Sequence, residues 1–149
     1  MTKKPRETAS KLGKGGPKST KKPKAKTALL AGAAQTSFAD IQNLLDTLVP
    51  PSDSNISGAP HQRFWRKPPT DTRDGFVNFD TSHWGQDGLL LTPGHPETSN
   101  LYLALAGQPP FDGSVQSQMP DIDSDPLATL ANKEQLATVA TWITNGAPA

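Results

Sequence analysis

His61, His83 and His95 are the only imidazoles in the chain, and they stand far apart in it. None forms an HxH, HxxxH or HExxH pair, the spacings that bring two ring nitrogens onto one metal ion. His61, next to Phe64 and Trp65, reads instead as a packed, hydrogen-bonded histidine that fixes its loop. Asp121, Asp123 and Asp125 follow the opening spacing of a calcium loop. Position six is then Pro126 where glycine is needed, and position twelve is Asn132 rather than glutamate. A solvated acidic turn is expected there. The serines Ser57 and Ser114 sit in turn sequences, and no GxSxG nucleophile elbow occurs. Gly13, Gly15 and Gly16 around Lys14 lack the GKS/T context of a phosphate loop, so they read as spacers. Cysteine is absent, which removes disulfides, thiolate metal sites, a cysteine nucleophile and covalent c-type haem attachment. No catalytic residue, metal site or cofactor is assigned, and the chain is not read as an enzyme.

Charge is the stronger signal. The formal charge of +1 is the sum of two unlike parts. Residues 1–26 carry Lys3, Lys4, Arg6, Lys11, Lys14, Lys18, Lys21, Lys22, Lys24 and Lys26 against Glu7 alone, a net of about +9. Residues 27–149 carry five basic residues against thirteen acids, a net of about −8. The basic part consists mostly of Lys, Pro, Gly, Ser and Thr. It cannot bury enough apolar surface to offset its ordering entropy, so a flexible arm is expected. Such an arm suits an anionic surface: nucleic acid, an anionic membrane or an acidic protein groove. It has no interleaved aromatics, so base stacking and sequence readout are not expected of it. Residues 27–36 (TALLAGAAQT) imitate a secretory leader, but the charged region before them is too long and the apolar core too short. No run of 18 apolar residues occurs, so no membrane-spanning helix is expected. The compartment is not legible.

The elements that must position these residues follow from periodicity and caps. Residues 1–36 form the arm and linker, and residues 37–149 the folded domain. Ser37 with Asp40 is a capping pair, and Phe38, Ile41, Leu44, Leu45 and Leu48 share one helical face. Pro50 and Pro51 end that helix. Residues 50–96 are rich in turn formers, pinned by Phe64, Trp65, Phe76, Phe79 and Trp84, with one short helix inside Thr70–Phe79. Leu89–Leu91 reads as a short buried strand or an extended segment. Pro96 to Gly107 reads as one helix, opened by Pro96 and closed by Gly107, with Leu101, Leu105 and Tyr102 facing inward. The last helix starts at Asn132 with Gln135 as its capping partner. It presents Leu136, Val139, Ala140 and Ile143 with Trp142 alongside, and Gly146 and Pro148 stop it. The fold class is mainly α, with long ordered loops. Trp65, Trp84 and Trp142, with four of the phenylalanines, are expected either to fill the centre of so small a core or to be exposed as an interface.

The order of these pieces resembles a known family. A leading helix precedes Pro93-Gly94-x-Pro96-x-x-Ser99-x-Leu101-Tyr102, then Met119-Pro120, then a closing Trp142-Ile143-x-x-Gly146-Ala147-Pro148. Over residues 37–149 this is similar to bacterial cytochrome c-like modules. In them CxxCH follows the first helix, two thiols hold the haem covalently and the histidine is an axial ligand. Here the corresponding place, near Leu48-Val49-Pro50-Pro51-Ser52, holds no Cys or His. Met119 matches the place of the family's second axial ligand. A second pattern, Ala59-Pro60-His61-x-x-Phe64-Trp65, Phe76-Val77 and Gly107-x-x-Pro110-Phe111, resembles haem-less relatives of that fold. The resemblance implies a small cytochrome c-like helical domain and withdraws the activity usually attached to it.

The expected function is a non-catalytic structural or interaction module. It docks on protein partners or self-assembles within a larger assembly, a virus particle being one setting, while the cationic arm contacts an anionic surface. The alternative is an electron-transfer protein that binds haem non-covalently. His61, Phe64, Trp65, Trp84, Met119 and Trp142 are the expected fold-defining loop and interface residues.

Overall fold

A computed structural model describes residues 35–52 and 62–149. The chain divides into two units, Met1–Ala31 and Gly32–Ala149. The ten cations of the basic arm, and His61 with the rest of residues 53–61, lie outside the described residues.

Four α-helices carry the second unit: α1 (Phe38–Leu48), α2 (Arg73–Val77), α3 (Asn100–Ala106) and α4 (Lys133–Thr144). Among the described residues there is no strand, only an isolated antiparallel bridge between Asp80 and Leu89. The mainly α expectation therefore holds. Leu89–Leu91 is an extended segment in which Leu90 and Leu91 are buried and Leu89 is exposed.

The caps are those the sequence announces. Ser37 and Asp40 exchange hydrogen bonds in a full capping box at the start of α1, and Asn132 and Gln135 do the same for α4. Each box satisfies orphan N–H donors and contributes about 1 kcal/mol. The inward face of α1 is Phe38, Ile41, Leu45 and Leu48, with Gln42 buried beside them and Leu44 only half-buried.

The second predicted helix is shorter than expected. A 3-10 turn at Pro96–Thr98 is separated from α3 by Ser99, whose backbone is extended (φ −93°, ψ 115°). The fully buried Ser99 hydroxyl lies 2.8 Å from the His95 carbonyl and accepts from Thr92 N–H at 2.9 Å. Asn100 and Leu101 N–H bond the extended segment at Leu89 and Leu90. Those partners outcompete a continuous helix. The Gly107 cap is left-handed, as expected (φ 60°).

The core is tied together by rings. Phe76, fully buried on α2, touches Phe38 of α1 (5.2 Å), Phe64 (5.7 Å) and Trp142 of α4 (6.5 Å). The chain of rings continues from Phe64 to Trp84 (4.9 Å) and from Trp84 to Phe79 (4.5 Å). Trp142, expected alongside the inward face of α4, is at its centre and only 1% exposed. Gly75 lets α2 lie directly on the Pro68–Pro69 segment: a Cβ there would meet the Pro69 carbonyl oxygen at 1.7 Å. Arg73 closes the C-terminus. Its Nε donates to Ala147 O at 2.7 Å and its Nη2 to Gly146 O at 2.9 Å.

Truncating Phe76 to alanine removes three ring contacts from a site with no exposure, and the expected cost is about 3–5 kcal/mol. Denaturant unfolding of Phe76→Ala against the parent checks this.

Candidate functional site

Two elements and two loops surround a solvent-open pocket of about 530 Å³. One wall is α1, through Leu45 and Leu48; the opposite wall is α3, through Leu101, Ala104 and Leu105. Rings of Trp65 and Trp84 close one side, and the segment around Met119 closes another. The volume falls in the range of small-molecule sites in proteins. Most of the aromatic side chains are packed, one of the two expectations, and Phe64, Trp65, Trp84 and Phe111 also line the pocket. Phe38, Phe76 and Trp142 stack on one another on α1, α2 and α4, so only part of the ring set reaches the pocket.

The Trp65 wall is held by one carboxylate. Asp46, half-buried on α1, accepts from Trp65 Nε1 at 2.8 Å, from Arg66 Nη2 and Nε at 2.7 and 3.0 Å, and from Arg63 Nη1 at 3.2 Å. Gln42 adds a second tie, its Nε2 donating to Trp65 O. Burial raises the Asp46 carboxyl, but the Arg66 and Trp65 hydrogen bonds and the charges of both arginines outweigh it. The net result lies below the ordinary carboxylate range.

The Met119 wall is held by backbone. Met119 N–H donates to Ala104 O at 3.0 Å, and Gln118 Nε2 donates to Leu105 O at 2.9 Å. Met119 is half-buried, as is Trp84, whereas Phe64, Trp65 and Trp142 are buried at 5%, 3% and 1% exposure. These last three are packing residues, and their rings are not available to an interface.

Asn100, 8% exposed, is a cavity residue that periodicity does not single out. Its Nδ2 donates to Thr81 Oγ1 at 2.7 Å and to Asp87 O at 2.9 Å. Those two acceptors orient the amide and use both of its hydrogens. The Oδ1 atom meets no donor among the described residues. The only sequence signal for this site is an asparagine inside an otherwise apolar helix.

The remaining predicted positions do not converge. His83 is exposed and lies against the Phe79 ring (5.9 Å), and His95 is exposed beside Glu97 (3.0 Å). Asp121 caps its own turn through Asp123 and Ser124, and Asp125 accepts from Leu127 N–H. Among the described residues, no group of three His, Cys, Asp or Glu is placed to hold a metal ion. No described helix is long and apolar enough to cross a membrane. A haem needs axial nitrogen or sulfur ligands. Of the described residues on the cavity wall Met119 offers one, and no chemistry is derived through a haem.

Comparison with protein-family models, with curated proteins and with solved structures gave no match for this chain.

The folded-state pKa of Asp46 is depressed, so its contribution to stability is complete above the unfolded carboxylate value and is lost as pH falls through the folded one. Asp46→Asn is therefore expected to be less stable than the parent at neutral pH, with the gap closing below about pH 4. Thermal unfolding of both proteins across that range measures it. A gap that is independent of pH sinks the account.

Proposed function

We propose that this protein is a non-catalytic interaction module: a haem-less, cytochrome c-like helical domain that docks within a larger assembly and uses its basic arm on an anionic surface. The observation that carries this reading is the sign of the domain's own surface. Of the twelve acidic side chains described, all but Asp46 and Asp125 are exposed. The basic side chains are fewer, and three are engaged internally: Arg63 and Arg66 with Asp46, and Arg73 with the C-terminal carbonyls. A domain with this surface repels a polyanion, so contact with one falls to the ten cations of residues 1–26. The arm and the domain have opposite signs, which also allows neighbouring copies to attract one another.

The docking half of the reading is supported by the loop between α3 and α4, where Val115, Ile122, Leu127 and Leu130 are exposed. The cytochrome c-like half is supported by the motif order, with Pro96, Leu101, Met119 and Trp142 each at an element boundary or a packed position. Electron transfer through a non-covalent haem is the second reading, and Met119 on the cavity wall favours it.

The arm reading predicts salt-sensitive binding of the intact chain to duplex DNA used as a model polyanion. With about half the cations engaged, affinity should fall about 10²–10³-fold between 50 and 200 mM salt. Deleting residues 2–26 should abolish binding; a deletion that leaves DNA binding and sedimentation unchanged sinks the proposal. Haem titration separates the second reading. No stoichiometric Soret band is expected, and such a band, lost in Met119→Ala, would establish electron transfer in its place.

A further inference from the structure

We propose that the groove between the end of α3 and the loop leading to α4 is the docking site for residues 21–30 of a second copy of this chain. The proposal rests on the interaction-module reading above and names the partner of its docking face. Three observations converge on that partner.

The first is where the apolar surface lies. Of the five large hydrophobic side chains exposed among the described residues, Val115, Ile122, Leu127 and Leu130 belong to this one loop. Ile122 and Leu130, distant in sequence, line one solvent-open groove of about 340 Å³. Single apolar residues scattered on a surface are ordinary, whereas apolar residues gathered in a concave site mark binding. The groove has a fixed frame. Gln118 Nε2 donates to Leu105 O at 2.9 Å, and Gly113 N–H donates to Gln116 O at 2.9 Å. Gly107 permits the close approach, since a Cβ there would meet the Gln118 side chain at 2.8 Å. A preformed site loses less ordering entropy on binding.

The second is charge. Asp112, Asp121 and Asp123 line the same groove and are exposed. Residues 107–132 contain four aspartates and no Lys, Arg or His. An apolar segment that carries positive charge complements this face, and one that carries negative charge is repelled.

The third is the sequence of residues 21–30. Lys21, Lys22, Lys24 and Lys26 run into Leu29 and Leu30, with no acid among them. The lysines answer the aspartates, and the leucines answer Ile122 and Leu130. Within an assembly every copy offers both halves, so the contact is head-to-tail, with one groove and one segment in each interface.

The test uses the full-length chain in sedimentation velocity. The parent should self-associate at about 50 mM salt and about tenfold more weakly at about 500 mM. Two variants each remove one half. Ile122→Ser/Asp123→Lys alters the groove; Leu29→Ser/Leu30→Ser alters the segment and keeps all ten cations of residues 1–26. Each variant alone should be monomeric, and an equimolar mixture should form a one-to-one dimer, because the mixture retains a single intact interface. A parent that stays monomeric, as it would if the segment occupied the groove of its own copy, overturns the proposal. So does a segment variant that associates like the parent, or a mixture that gives no dimer. The segment variant lies before the domain, so its result stands even if the groove variant does not fold. It should also still bind duplex DNA. DNA binding by a parent that never associates overturns this contact and leaves the arm reading standing; association without DNA binding supports this contact and overturns the arm reading.

Discussion

The contact of Phe76 with Phe38, Phe64 and Trp142 is the constraint on which the rest of this domain depends. Each partner belongs to a different part of the chain: the first helix, the turn that follows the first loop, and the last helix. The helices are short and the described residues hold no sheet, so contacts between several elements must hold the domain's geometry. One fully buried ring that touches all three supplies a common centre. Gly75 is the condition for it, because only a residue without Cβ lets α2 approach the Pro69 carbonyl closely enough to insert Phe76.

The ring stack draws Phe38, Phe76 and Trp142 to one side, and the space between α1 and α3 stays open at about 530 Å³. The walls do not collapse because each is held from outside. Asp46 gathers Trp65, Arg63 and Arg66 on one side, and Ala104 and Leu105 carbonyls hold the Met119 segment on the other. Rigid walls around an apolar space are the condition for a preformed binding site.

Much of the framework was legible in the residues. Ser37 with Asp40 and Asn132 with Gln135 mark the helix starts because a capping box is a local exchange of hydrogen bonds that needs no tertiary partner. The apolar spacing of Phe38, Ile41, Leu45 and Leu48 marks the buried face of α1 for the same reason: 3.6-residue periodicity is a property of the segment itself. The helix expected from Pro96 was too long because its local signals say nothing of Leu89 and Leu90, whose carbonyls capture Asn100 and Leu101. Asn100 passed unnoticed because an asparagine in a helix looks like any other polar position until Thr81 and Asp87 are seen beside it.

By itself the sequence determined the charge division between residues 1–26 and the rest, the absence of thiol chemistry, the helical class and the positions of the main caps. These are consequences of composition and of contacts within a few residues. Only the tertiary structure decided that the rings stack to one side, that a pocket lies between α1 and α3 and that the buried Asn100 is one of its lining residues. Those outcomes depend on contacts between residues 19 positions apart, Asp46 with Trp65 and Thr81 with Asn100, and local sequence carries no measure of such distances.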